Sequence, residues 1–383
     1  MSIFYIFFLR LISFLEGSDK VILTIVFFLA IVAHILCLND WKISLKKKET
    51  IPLGVFLYFV FHTLIFSIPT IQFFGIIFSY YLWYLFTKLK FEEKSKTQAV
   101  RFLVTSLVIY ITINFIWYYI EYSHLRTGIN TTLGYFDIVA YRVRFPMEES
   151  QTGNSIVVGL TSLLTMYLIK HTSNSLHRAF LFLLYFWSIY VLVVLDSRSP
   201  LIISLFFGLC MGLGLRTLIR FMNQYWLPLV LVTLILVNIF YNTDIFQDFK
   251  RPGELEQEVI ARPKIWLLAL SYTFQDLGFL FGHGLNSFTE IISQESTSLS
   301  TTHNIFLQIL FDFGLAGIVF FGYFVQRTIR ILYEYGDLNL MLIFISFFLY
   351  GCLESTPSYY TFTPTLIFIP FLIIVYKLRN ENI

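Results

Sequence analysis

His303 stands in the string Thr301-Thr302-His303-Asn304, between a long polar stretch and an apolar run that opens at Ile305. An imidazole there titrates near neutral pH and can take or relay the proton of a hydroxyl. On its own it fits a helix cap or a loop hydrogen bond as well. Arg198 lies in the short turn Asp196-Ser197-Arg198-Ser199-Pro200 between two apolar runs. A guanidinium at such a lip presents a planar fork of donors that chelates phosphate; a local ion pair with Asp196 is the equal alternative. Arg262 opens Arg262-Pro263-Lys264-Ile265-Trp266, where proline suits the first turn of a helix. Its side chain and the helix's N-terminal amides could hold an anion together. Arg126, Arg142, Arg144 and Arg251 each read alone as solvated loop charges. Asp312 is nine residues beyond His303, roughly 13 Å along a helix and on its opposite face. The two do not make a dyad, and a helix–helix hydrogen bond is the expected role of Asp312. His283, flanked by Gly282 and Gly284, reads first as part of a tight turn.

The scaffold that must position these residues follows from composition. Of 383 residues, 57% are hydrophobic and only 13% charged, against about 25% charged in a soluble domain. A soluble enzyme, a secreted scaffold and a disordered chain are excluded. The net charge of +3 is small and scattered, so no nucleic-acid partner is expected. Cys37, Cys210 and Cys352 each sit in an apolar run and imply no disulfide framework. No phosphate-binding loop and no zinc-spaced cluster is present, so neither cofactor nor metal is expected.

With roughly 20 apolar residues per crossing, the expected fold is all-α. It is a polytopic transmembrane helix bundle of about 12 spans, forming a single integral membrane domain over 1–383. The spans fall near 3–15, 21–38, 51–66, 71–87, 100–120, 154–169, 180–195, 201–215, 226–241, 303–324, 338–354 and 362–377. Lysine and arginine gather in one set of loops, including Lys46, Lys47, Lys48, Lys170, Arg178, Arg216, Arg220, Arg327 and Arg330. That side is cytoplasmic by the excess of basic residues, which places both termini inside. The two extracytoplasmic loops that can hold structure are 121–153 and 242–302. Within the second, 262–280 reads as an interfacial helix ending near Gly278. Trp266, Leu267, Leu270 and Phe274 fall near one face, and the tryptophan suits a membrane interface. Several cations in the outer loops, with a histidine at their exit, suit a lipid-linked phosphate or diphosphate.

The string His303-Asn304-x-x-Leu307-Gln308-x-Leu310-x-Asp312-x-Gly314-Leu315-x-Gly317 resembles the signature of the O-antigen ligase/polymerase superfamily of bacterial membrane glycosyltransferases. Arg262-x-x-x-Trp266, followed by Phe281-Gly282-His283-Gly284-Leu285-Asn286-x-Phe288, is similar to that family's outer-loop motif. Ser197-Arg198-Ser199 is similar to its arginine turn, and the stretch from Arg142 through Gly153-Asn154, more loosely, to an Arg…Asn element. The clear part of the resemblance covers 196–317.

The resemblance implies a metal-independent glycosyltransferase of the bacterial cytoplasmic (inner) membrane, acting on its extracytoplasmic face. Polyprenyl-diphosphate-linked glycan (undecaprenyl diphosphate) would be donor and acceptor in O-antigen or capsule-type polymerisation. By match to the motif, Arg198 and Arg262 would hold the diphosphate and His303 would activate or orient the acceptor hydroxyl. Arg142, Arg144, His283 and Trp266 are secondary candidates. Membrane lipid and a chain-length regulator protein are the further partners, and an apolar lateral opening near Arg198 should admit the polyprenyl chain. Two alternatives stand beside the polymerase. One is a ligase that transfers the glycan to lipid A core in lipopolysaccharide synthesis. The other is a transporter of lipid-linked glycan, which would show paired halves and ionisable residues near mid-membrane.

Overall fold

The computed structural model describes residues 58, 61, 62, 65, 96–126, 151–195, 197–225, 228, 232, 261–275, 278–284, 287–292, 302, 304–334 and 337–353. Its elements there are helices: α1 (Lys96–Arg126), α2 (Gln151–His171), α3 (Ser175–Val194), α4 (Arg198–Gly212), α5 (Arg216–Gln224), α6 (Ala261–Gln275), α7 (Gly278–Phe281), α8 (Ser287–Ile292), α9 (Ile305–Glu334) and α10 (Leu338–Leu353). The spans expected at 100–120, 154–169, 180–195, 201–215 and 338–354 correspond to α1, α2, α3, α4 and α10. The span expected at 303–324 is the first part of α9, which runs on to Glu334. Those at 3–15, 21–38, 71–87 and 362–377 lie outside the described residues, as does nearly all of 226–241. Of 51–66, Tyr58, Phe61, His62 and Ile65 are described, and all are helical. Among the described helices, Val100–Ile120 and Ser175–Val194 are each long and apolar enough to cross a bilayer. The bent pair Ile305–Val319 and Phe321–Glu334 is a third if it counts as one span.

Helix α2 is the hub, packed against α1, α3, α4 and α10. Its apolar residues Ile156, Val157, Val158, Leu160, Leu163 and Leu164 are all buried, and so are Ser155, Thr161, Ser162 and Thr165. A hydroxyl in such surroundings needs a partner, and three of these turn back on their own helix. Thr161 and Thr165 donate to the carbonyls of Val157 and Thr161, and Ser162 donates to Gly159, each at 2.7 Å. Helix α3 behaves differently. Its exposed residues Leu176, Phe180, Leu183, Phe186, Tyr190 and Val193 recur every three or four positions, an apolar stripe turned away from the protein.

Where α2, α4 and α10 meet, a glycine lets the backbones approach, as small residues do between helices in lipid. The Ser204 hydroxyl donates to the Gly159 carbonyl at 3.3 Å and lies 2.9 Å from the Tyr350 hydroxyl. A Cβ at Gly159 would stand 2.8 Å from the Tyr350 oxygen and 3.0 Å from Ser204 Oγ.

One end of the bundle is closed by helix caps. Asp337 accepts from Leu340 N at 3.0 Å, capping α10, and from the Tyr167 hydroxyl at 3.1 Å. Lys170 Nζ donates to the Met211 carbonyl at 2.9 Å, and Arg178 donates twice to that of Thr172, at 2.7 and 3.1 Å. Cations at helix C-termini complement the carbonyls left over there. The chain therefore alternates direction, and the starts of α2, α4 and α9 fall at the opposite end.

Gly159→Ala should lower thermal stability by about 1–3 kcal/mol through overpacking. Gly159→Ala combined with Tyr350→Phe should recover part of that loss, because the obstructing hydroxyl is gone. Thermal unfolding of both variants in detergent checks this; equal losses would place the strain elsewhere.

Candidate functional site

Helix α6 lies on α9 through a small apolar cluster of its own, made by Ile265, Trp266, Ala269, Phe288 and Phe311. Trp266 is 5% exposed, whereas Leu267 and Phe274 are 64% and 60% exposed. The expectation of one shared apolar face is thus corrected. Trp266 faces inward with Ile265, Ala269 and Thr273, while Leu267 and Phe274 point the other way. The reason is polar: Trp266 Nε1 donates to the Thr302 carbonyl at 2.8 Å, a partner that a buried indole needs. Helix α6 also stops at Gln275, and a separate short helix, α7, runs Gly278–Phe281.

That indole bond begins a chain of hydrogen bonds. Thr302 is fully buried; its N–H donates to Gln308 Oε1 at 3.0 Å and its hydroxyl to the Asn304 carbonyl at 2.8 Å. Asn304 Oδ1 accepts from the N–H groups of Phe306 and Leu307, at 2.9 and 3.1 Å, and so caps α9. Gln308 Nε2 then donates to both carboxylate oxygens of Asp312, at 3.1 Å each. The bond from Gln308 lies within one helix, one turn apart. Several residues of the string that follows His303 thereby acquire a task. Asn304 caps, Gln308 bridges and Asp312 anchors.

Near its middle α9 departs from helical geometry at Gly314 (φ 66°, ψ −165°). Its parts Ile305–Val319 and Phe321–Glu334 are bent by 60°. Inside an apolar bundle, irregular backbone must find partners in the protein. The N–H groups of His283 and Gly284 donate to the carbonyls of Phe311 and Asp312, at 2.8 and 3.0 Å. The Tyr58 hydroxyl donates to that of Phe313 at 3.0 Å. The expected turn at 282–284 is present, with φ of 77° at Gly282 and 98° at Gly284. A side chain at Gly282 would collide with the backbone of Asp312 and Phe313, and one at Gly314 with that of Leu280 and Gly282. Here two backbones touch directly. Only glycine permits both the contact and the dihedral angles.

Of the sequence candidates, His303, Arg142 and Arg144 lie outside the described residues, as do the side chains of Arg198 and Arg262. Their places in the chain are still informative. Arg262 is the second residue of α6, one turn before Trp266, and His303 lies between Thr302 and Asn304. The indole bond to Thr302 therefore sets the turn that bears Arg262 close to the residue preceding His303. Arg198 is the first residue of α4, at the end of the bundle where α9 also starts. His283 is partly exposed, and its ring packs on Phe311 with centroids 4.8 Å apart. Its Nε2 is buried with no hydrogen-bond partner.

Tyr58 and His62 belong to the site's surroundings and were not singled out from the sequence. The His62 imidazole contacts the Phe281 carbonyl and meets the Phe313 ring edge-on at 5.0 Å. The signal was available: His62 is an ionisable residue inside the apolar run 51–66.

Residues 183–322 match the family model described as O-antigen ligase. The resemblance to the O-antigen polymerase/ligase superfamily stands. A search of curated proteins finds no match. The matched segment runs from α3 past the break in α9 and takes in Arg198, Arg262, Trp266, His283 and His303. The family indicates O-antigen ligase/polymerase-type function in a membrane setting, with glycosyltransferase-like enzymes as members and lipid-linked glycans as substrates.

Trp266→Phe keeps the aromatic volume but leaves the buried Thr302 carbonyl without the indole donor. That omission is worth about 1–3 kcal/mol. Glycan transfer should fall at least tenfold while the purified variant still elutes as a folded species. Gly314→Ala should do worse and abolish recovery of folded protein, as size-exclusion profiles in detergent would register.

Proposed function

We propose that the protein is a metal-independent glycosyltransferase that joins polyprenyl-diphosphate-linked repeat units into a surface polysaccharide on the extracytoplasmic face of the inner membrane. The observation that supports this reading best is the hydrogen bond from Trp266 to Thr302. It draws the helix that begins beside Arg262 onto the segment that holds His303.

In the proposed reaction, the hydroxyl of one lipid-linked glycan attacks the anomeric carbon of another and the bond to the diphosphate breaks. His303 takes the hydroxyl proton. Arg198 and Arg262 offset the charge that grows on the departing diphosphate. Diphosphate is already a good leaving group, so pre-placed cations contribute more to its departure than an added acid would. Arginine suits the task because its fork can meet two phosphate oxygens together and cannot lose its charge. The lipid chain would enter sideways from the bilayer near Arg198. The family description names a ligase, which keeps transfer to lipid A core as the second reading; the site chemistry would be the same and only the acceptor would differ.

Purified protein given polyprenyl-diphosphate-linked repeat units, EDTA and no nucleotide sugar should produce a ladder of lengthening glycans on a gel. His303→Ala should remove the ladder. Arg198→Lys and Arg262→Lys, which keep charge but lose the fork, should slow transfer at least tenfold. No ladder with repeat units, but product with lipid A core, would assign the ligase; no product with either acceptor would bring the lipid-linked-glycan transporter forward.

A further inference from the structure

Helix α5 lies at the end of the bundle away from the candidate site and is built differently from the helices around it. At about 100° per residue, Thr217, Arg220 and Gln224 share one side, and Leu218, Phe221 and Tyr225 share another about a quarter-turn away. Thr217, Arg220 and Gln224 are exposed. Leu218 packs against the apolar core, and the helix rests on α10. Phe221 and Tyr225 do not follow Leu218 inward. They are 50% and 41% exposed, with ring centroids 4.8 Å apart. A polar arc beside an exposed aromatic edge suits the boundary between lipid headgroups and acyl chains.

The surroundings say what lies outside. On α4, Ile202, Leu205, Phe206, Leu209 and Leu213 are exposed at helical spacing, an outward apolar stripe like that of α3. The stripe ends at the turn of Gly214 (φ 66°), and exposed Leu215 carries it on to Phe221 and Tyr225. Charge at this end is basic. Lys170, Arg178 and Arg220 are exposed. The described acids here are Glu334, which pairs with Arg330 at 2.8 Å, and Asp337, which is buried. Lys170 and Arg178 donate to backbone carbonyls, whereas Arg220 has no such partner among the described residues.

We infer that α5 is a lipid-recognition helix, with Phe221 and Tyr225 among acyl chains and Arg220 on the phosphate of an anionic phospholipid. The reaction proposed above plays no part in this assignment. A soluble anion would satisfy the arginine and leave both aromatic rings in water, whereas one phospholipid meets both needs. A second copy pairing through the same face would set one basic end against another.

The test is native mass spectrometry of detergent-purified full-length protein with phosphatidylglycerol or phosphatidylcholine of the same acyl chains. Wild type should retain phosphatidylglycerol in preference to phosphatidylcholine. Arg220→Gln should weaken phosphatidylglycerol about fivefold, the effect of one cation at an anionic surface, and leave phosphatidylcholine unchanged. Arg220→Lys should keep most of the preference. Phe221→Ser combined with Tyr225→Ser should weaken both lipids, and excess inorganic phosphate should displace neither. No preference in wild type, or unchanged phosphatidylglycerol binding in Arg220→Gln, would overturn the assignment. Displacement of the lipid by phosphate would overturn it in favour of a soluble anion, and a dimer lost in the double serine variant in favour of a second copy.

Discussion

Everything described around α9 depends on one requirement: backbone groups released by the break in that helix must be satisfied without water. The carbonyls of Phe311, Asp312 and Phe313 meet this by accepting from His283, Gly284 and Tyr58. Because two of the three donors are main-chain groups of a neighbouring turn, the turn must come very close, and Gly282 and Gly314 make room for it. The helix break and the turn at Gly282–Gly284 are therefore a single unit.

From that unit the order spreads towards the head of the helix. Asp312, one residue past the first carbonyl held by the turn, receives Gln308; Gln308 receives Thr302; Thr302 receives Trp266. Each member occupies the polar capacity of the next, which makes the network rigid as well as satisfied. The residue immediately before His303 is thus fixed from two directions, by α6 through its indole and by α9 through its glutamine. This is a scaffold for accuracy in position, which the proposed transfer between two lipid-linked glycans would demand.

Much of this was legible in the sequence, and unevenly. Apolar runs gave α1 to α4 and α10 with ends within about six residues of those observed, since helices in lipid have few alternatives. The glycines around His283 announced a turn, and the order of motifs from Arg198 to Gly317 pointed to the family whose model matches residues 183–322. What the sequence hid was direction and partnership. Trp266 and Leu267 are apolar neighbours; the indole N–H says that a buried Trp266 needs an acceptor, but not that the acceptor is the carbonyl of Thr302, 36 residues away. Asp312 reads as needing a partner, and Gln308 one turn away is one. His62 was visible as an ionisable group in an apolar run, but its link to Phe281 joins residues 219 apart in the chain, which spacing cannot reveal.

The Tyr58 bond to Phe313 joins residues 255 apart, and this separation bears on how the protein is made. At a synthesis rate of about 5–20 residues per second, the segment bearing Tyr58 waits roughly 13–50 s for its partner to leave the ribosome. Throughout that interval the Tyr58 hydroxyl is without the Phe313 carbonyl that it meets in the finished fold. The arrival of Gly314 and its flanking carbonyls ends the wait. The closure of this contact is then an event of late biogenesis, because it cannot precede synthesis of the distant half of the chain.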